Sequence, residues 1–180
     1  MDRHGHVGIN LLVFTPVACY LLIENQPLLI VMGFIGLMAI EPMVDIDQYL
    51  PGMSHGGTSH SLFAVGIVGL LSAVCVYVFT GFAVTSITQA AFGQPLLLGG
   101  AVEDSPLNPM YNARHAFFIG AGAVCSHLLG DFLSESGIRP LMPFLSQKVS
   151  YPVIRLTGWG QYLLVFAGVV SLAAGMLVFS

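Results

Sequence analysis

Residues 61–80 read SLFAVGIVGLLSAVCVYVFT, and this stretch contains no charged side chain. An α-helix needs about 20 predominantly apolar residues to cross the hydrocarbon core of a bilayer. The stretch therefore predicts a membrane-spanning helix over 61–80. The apolar residues that follow leave open an extension of this helix as far as Phe92.

Four further apolar stretches flank this one and predict helices over 7–23, 27–40, 115–133 and 161–179. The second is short for a full crossing, so we expect it to be tilted or partly re-entrant. Only 8% of the residues are charged and 56% are hydrophobic, whereas a soluble domain carries about 25% charged residues. We therefore predict an all-α, polytopic helical membrane protein with about five transmembrane helices, in which residues 1–180 form a single integral membrane domain.

The few charged residues exclude one class of partner and orient the chain. A net charge of −4 with only five Lys and Arg residues leaves no basic patch for nucleic acid. Five crossings place the N-terminus, the 41–60 loop and the 134–160 loop on one side of the membrane. That side holds Arg3, Arg139, Lys148 and Arg155, and the other holds only Arg114. The positive-inside rule predicts that the shared side is cytoplasmic.

Histidine and aspartate residues gather at that same side under the five-crossing topology. They are His6, Asp45, Asp47, His55, His60, His127 and Asp131. Ionisable side chains at membrane depth are costly, and by default they indicate function. A separate crossing within 82–100 would move Asp131 to the face opposite Asp47 and would split the site.

The spacing of four between His127 and Asp131 places both side chains on one helical face, one turn apart. Paired zinc ligands on helices use the same spacing. Two simpler interpretations are a hydrogen bond between His127 and Asp131, and a solvated loop around Asp45 and Asp47. Taken together, the imidazoles and carboxylates form a mixed nitrogen and oxygen ligand set suited to Zn²⁺ or another first-row divalent ion, which favours a metal site.

The order of these motifs resembles the YdjM-like family of membrane-bound, inner-membrane-associated metal-dependent hydrolases, also described as LexA-binding. The resemblance rests on GH at 5–6, DID at 45–47, HGGTSHS at 55–61, HLLGD at 127–131 and GIRPL at 137–141. The family pattern has a proline, a histidine, an arginine and a threonine where this chain has Val44, Gln48, Gly56 and Ser59. The missing arginine would have clamped an anionic substrate, a role that Arg139 could take.

The leading hypothesis is a membrane-embedded hydrolase that cleaves a phosphoester or lipid-like substrate through a metal-activated water. The predicted cofactor is a divalent metal, most simply Zn²⁺, with Mn²⁺ or Mg²⁺ as alternatives. The predicted ligands are His6, Asp47, His60, His127 and Asp131, and the predicted catalytic residues are Asp45, as general base, and His55. His6 and His55 could instead lie behind the ligands and orient them. The resemblance implies that this site lies in the inner membrane.

Two other functions stay open. A non-catalytic, metal-stabilised membrane scaffold or partner-binding protein would use the same ligands without turnover, and the sequence does not identify its protein partner. An ion transporter is disfavoured because the polar residues cluster at one face and leave the interiors of the spans nearly uncharged. For the hydrolase, a site in the headgroup plane favours a membrane lipid or another amphiphilic small molecule as substrate.

Overall fold

The computed structural model describes residues 3–45, 57–93, 107–152 and 159–179. Within these ranges the chain is helical, apart from loops and one isolated antiparallel bridge between Ile138 and Val149. The long helices are α1 (Arg3–Ile23), α2 (Pro27–Val44), α3 (Leu62–Phe92), α4 (Pro109–Phe132) and α5 (Trp159–Phe179), and a short 3₁₀ helix covers Thr58–His60. The prediction of an all-α, polytopic membrane protein is confirmed.

Four of these helices, α1, α2, α3 and α5, are long and apolar enough to cross a membrane. Helix α4 is equally long but less apolar, because it carries Arg114, His115, His127 and Asp131. It packs against α1, α2 and α3, and about half of its residues are buried. The side of α4 that faces its neighbours does not need an apolar surface towards lipid, so this side can hold polar side chains inside the bundle.

Several helix boundaries differ from those predicted, and the extension of α3 to Phe92 that the sequence left open is present. Helix α2 continues past Ile40 to Val44, so Glu41 belongs to the helix and not to the following loop. Helix α3 runs without a break to Phe92 and is about 46 Å long, so no separate crossing begins at residue 82. Helix α4 begins at Pro109, one residue after Asn108, whose side-chain Oδ1 accepts a hydrogen bond from the Met110 amide at 2.9 Å.

Close glycine contacts fix the relative directions of the helices. Along α1 and α5 the residue numbers of the contacting pairs increase together, from Gly8 against Leu164 to Leu11 against Gly168, so these two helices are parallel. Along α3 and α4 they run in opposite senses, with Gly120 against Ser72 and Pro109 near Gly81. A parallel α1 and α5 requires an even number of reversals between them, as five crossings provide.

Candidate metal site

Side chains from four helix ends converge at one end of the bundle. His6 lies in the first turns of α1, Asp45 directly follows α2, and His60 ends the 3₁₀ helix before α3. His127 and Asp131 lie in the last turns of α4. The three imidazoles and Asp131 are almost completely buried, whereas 28% of the Asp45 side chain is exposed. Among these five residues, Asp45 is therefore the one that solvent reaches.

The imidazole Nε2 atoms all face the two carboxylates. Asp131 Oδ1 lies 3.4 Å from His6 Nε2, and Asp131 Oδ2 lies 3.3 Å from His60 Nε2 and 3.6 Å from His127 Nε2. Asp45 Oδ1 lies 3.2 Å from His60 Nε2 and 3.6 Å from His127 Nε2. Two triads of close ligand atoms result: His6, His127 and Asp131 form one, and Asp45, His60 and His127 form the other.

These separations suit ligands of a common ion better than hydrogen bonds between the side chains. Nitrogen and oxygen ligands about 2.0–2.2 Å from a tetrahedral Zn²⁺ lie about 3.3–3.6 Å from one another. Hydrogen bonds between nitrogen and oxygen are usually 2.7–3.2 Å long. Of the five separations, only that between His60 and Asp45 falls inside the hydrogen-bonding range.

Unpartnered buried nitrogen atoms support the same interpretation. The His127 side chain is fully buried, and neither of its ring nitrogens has a hydrogen-bond partner among the described residues. The same is true of His6 Nδ1. A buried polar atom without a partner is costly, and a metal ion at the centre of the cluster would satisfy His127 Nε2. The donor set therefore fits a divalent ion.

A hydroxyl group stands behind His60. Ser59 Oγ lies 3.0 Å from His60 Nδ1, the nitrogen that points away from the carboxylates. A partner on the second ring nitrogen fixes the orientation of an imidazole ligand and leaves Nε2 available. Ser59 occupies the position where the family pattern has threonine, so the substitution keeps the hydroxyl.

The loop after α4 holds Asp131 in place. Ser136 Oγ donates a hydrogen bond to Asp131 Oδ1 at 2.8 Å, and Ser134 Oγ donates to the Asp131 carbonyl at 3.0 Å. The Gly137 amide also donates to that carbonyl, at 3.0 Å, from a left-handed conformation with φ of 63°. The sequence analysis did not identify Ser134 or Ser136, because serine in a polar loop has many other uses.

A second buried pair lies one helical turn deeper. Asn10 is completely buried one turn after His6, and its Oδ1 accepts a hydrogen bond of 2.5 Å from Ser126 Oγ, next to His127. This contact joins α1 to α4 close to His6 and His127, whose imidazole rings are stacked. An asparagine within an apolar helix was the available signal, and the sequence analysis did not use it.

Glu41 is a further buried carboxylate on the same side of the bundle. It lies one turn before Asp45 on α2, and its side chain is only 2% exposed. Its Oε2 lies 3.5 Å from Nε of Arg3, whose own side chain is 71% exposed. The sequence analysis missed Glu41 because it placed the end of α2 at Ile40.

Two opposing effects act on the Asp45 carboxyl. Burial raises its pKa, but the imidazole groups of His60 and His127 that face it outweigh burial and hold the pKa well below its usual range. The ionised form is therefore the one that the cluster favours, and ionised carboxylates are the form that binds metal ions.

The structure thus brings together five of the seven predicted site residues: His6, Asp45, His60, His127 and Asp131. The other two, Asp47 and His55, lie outside the described residues, and their roles remain predictions. His115 lies near the other end of α4, where its Nδ1 is 2.8 Å from the Tyr111 carbonyl. His4 packs against Tyr162 of α5.

This bundle and its buried cluster define a polytopic helical membrane protein with a His/Asp site that could hold a divalent metal. The chain belongs to the YdjM inner membrane protein family, whose model matches residues 1–179. No curated protein and no solved structure shows significant similarity to it.

Proposed function

We propose that the protein is a membrane-embedded, metal-dependent hydrolase that acts on a phosphoester or lipid-like substrate. The observation that carries this proposal is the convergence of three imidazole groups and two carboxylates, with five nitrogen–oxygen separations of 3.2–3.6 Å. When bound, a divalent ion such as Zn²⁺, or Mn²⁺ or Mg²⁺, polarises an ester and activates water.

The five side chains suit different tasks. His6, His60, His127 and Asp131 are buried and would hold the ion, with Ser136 and Ser59 fixing two of them. Asp45 is partly exposed, so it is placed to accept a proton from a water molecule that enters from the open side. It can also act as a ligand, since its Oδ1 faces His60 and His127.

The location of the cluster supports an amphiphilic substrate. It lies at the ends of helices that are long and apolar enough to cross the membrane, a position that would place it near the lipid headgroups. A phosphoester carried by a membrane lipid reaches such a depth without leaving the bilayer. On the positive-inside argument this end of the bundle faces the cytoplasm.

The experiment is an assay of purified protein loaded with Zn²⁺ or Mn²⁺ against phospholipids and soluble phosphoesters. We expect hydrolysis that requires the metal and that His127→Ala abolishes. His115→Ala, at the other end of α4, is the matched control and retains activity. Stoichiometric metal without hydrolysis of any substrate would contradict the proposal.

A second candidate function is a metal-stabilised scaffold, and the burial of the cluster favours it. Structural zinc sites are closed by protein ligands, whereas catalytic sites keep a position open. Here four of the five side chains are nearly inaccessible. For a scaffold, removal of the metal lowers the unfolding temperature, since binding free energy contributes to folding. The metal-loaded scaffold catalyses no hydrolysis.

A further inference from the structure

A polar cavity of about 490 Å³ lies at the end of the bundle opposite the His/Asp cluster. The end of α1, the start of α2 and the start of α4 surround it. Its wall carries charges of both signs, Glu24 from the turn between α1 and α2 and Arg114 from α4. The guanidinium Cζ of Arg114 lies 6.0 Å from the centre of the Tyr111 ring, a cation–π contact that holds this charge near the cavity.

An apolar cavity of about 270 Å³ adjoins the polar one. The two share Tyr20, Leu21, Leu29, His115 and Phe118 as lining residues, so they form one continuous groove. From the polar end the groove passes between α1 and α4 along Phe14, Ile119 and Gly122 towards the middle of the membrane. The groove therefore has the shape of an amphiphile, with a charged end and an apolar end.

The charges identify the kind of headgroup. A guanidinium binds phosphate through paired, charge-assisted hydrogen bonds, and a carboxylate binds an ammonium group. We propose that this groove binds one phospholipid with a zwitterionic headgroup of the phosphoethanolamine type. Arg114 takes its phosphate, Glu24 takes its ammonium group, and an acyl chain fills the apolar cavity.

This lipid is separate from any substrate of the His/Asp cluster. The groove is lined by the second half of α1, by residues 29–37 of α2 and by residues 111–122 of α4, whereas the cluster lies at the opposite ends of the same helices. The inference therefore does not rest on hydrolase activity, and the His127→Ala variant is expected to keep the lipid.

Two glycines provide a matched test of the groove. Gly122 lines the apolar cavity, and a Cβ added there meets no atom within 4 Å. Gly66 on α3 has the same open surroundings but lies outside the groove. Gly122→Leu therefore fills the groove without disturbing helix packing, and Gly66→Leu adds the same side chain elsewhere.

The experiment measures phospholipid retained by the full-length protein after extensive detergent washing, by native mass spectrometry. The probes are vesicles of phosphatidylethanolamine and phosphatidylglycerol in equal amounts. We expect the parent and Gly66→Leu to retain one phosphatidylethanolamine molecule. Arg114→Gln should retain about tenfold less, as expected for one lost charge-assisted contact, and Gly122→Leu should also retain less, because its side chain takes the place of the acyl chain. Glu24→Gln should lose the preference for phosphatidylethanolamine over phosphatidylglycerol.

Either of two results would overturn the proposal. Equal retention by the parent and Gly122→Leu would show that the lipid is bound only to the outer surface of the bundle. Equal retention of both phospholipids by the parent would show that the pair of charges does not select a zwitterionic headgroup.

Discussion

The imidazole rings of His6 and His127 stack with their centres 4.0 Å apart and their planes inclined by only 6°. Two protonated rings in this arrangement would repel each other strongly inside a buried pocket. Each ring instead directs Nε2 towards a carboxylate oxygen of Asp131. A metal ion beside Asp131 would give both Nε2 atoms an electropositive partner, and an imidazole binds a metal ion in its neutral form.

Metal content gives the most direct prediction. Protein purified in detergent and loaded with Zn²⁺ should contain a stoichiometric amount of metal by mass spectrometry. The His127→Ala, Asp131→Ala double variant should contain almost none, because it removes ligands from both triads. His115→Ala should match the parent. Equal metal in the parent and the double variant would show that the ion binds elsewhere.

Ser136 should influence metal affinity although it is not a predicted ligand. Its hydroxyl donates to Asp131 Oδ1, and loss of a hydrogen bond behind a ligand typically weakens metal binding by about 10–100-fold. We expect this loss in Ser136→Ala, measured by competition with a chromophoric zinc chelator. Ser146→Ala changes an exposed serine of the same loop and should leave the affinity unchanged. An unaltered affinity in Ser136→Ala would mean that Asp131 needs no support.

For the Arg3–Glu41 pair, we expect a second substitution to restore the stability that the first one removes. Arg3→Gln leaves the Glu41 carboxylate buried without its cation, so we expect a lower unfolding temperature. The loss should be about 1 kcal/mol, since the Arg3 end is exposed and screened. Adding Glu41→Gln to Arg3→Gln removes the buried charge and should restore most of the stability. Additive losses in thermal unfolding would contradict this coupling.

Helices α1 and α5 should separate when Gly8 gains a side chain. A Cβ at Gly8 would lie 2.6 Å from the backbone carbon of Leu164, and such overpacking typically costs about 1–3 kcal/mol. Gly8→Ala should therefore lower the unfolding temperature in detergent. Gly66→Ala meets open space and should raise it slightly, because alanine is the better helix former by about 0.5–1 kcal/mol. Equal stability of the two variants would rule out the close contact.

Cysteine labelling tests the membrane orientation. Glu24 and Glu135 are exposed residues at opposite ends of the bundle, and each can be replaced by cysteine after removal of Cys19, Cys75 and Cys125. A membrane-impermeant maleimide added to intact cells should label Glu24→Cys, and it should reach Glu135→Cys only after the inner membrane is opened. The reverse pattern would place the His/Asp cluster on the outer side.

The spacing and order of the polar residues were enough to predict which of the described His and Asp side chains lie together. His127 and Asp131 were paired by helical periodicity, and the count of crossings brought His6, Asp45 and His60 to the same end. The resemblance to the family rested on the order of the same motifs, and the family match over residues 1–179 confirms that resemblance. These features depend on local sequence and on topology, both of which a single chain reveals.

The remaining features depend on packing, which local sequence does not reveal. Glu41 looked like the first residue of a loop because an ionisable side chain rarely lies inside a membrane helix, and Pro42 follows it. Asn10 and Ser126 are small polar residues whose contact joins distant segments. The start of α4 was different, since Asn108 followed by Pro109 is a recognisable helix-start signal that the prediction of a helix from residue 115 did not use.

The enclosed position of α4 also has a consequence for biogenesis. Translation delivers α1, α2 and α3 before α4, and a segment with a histidine and an aspartate in its final turns partitions poorly into lipid by itself. The earlier helices give the polar side of α4 a protein surface to pack against in place of lipid. Insertion of α4 and closure of the His/Asp cluster are therefore one event, so the ligands meet only when the fourth helix has entered the membrane.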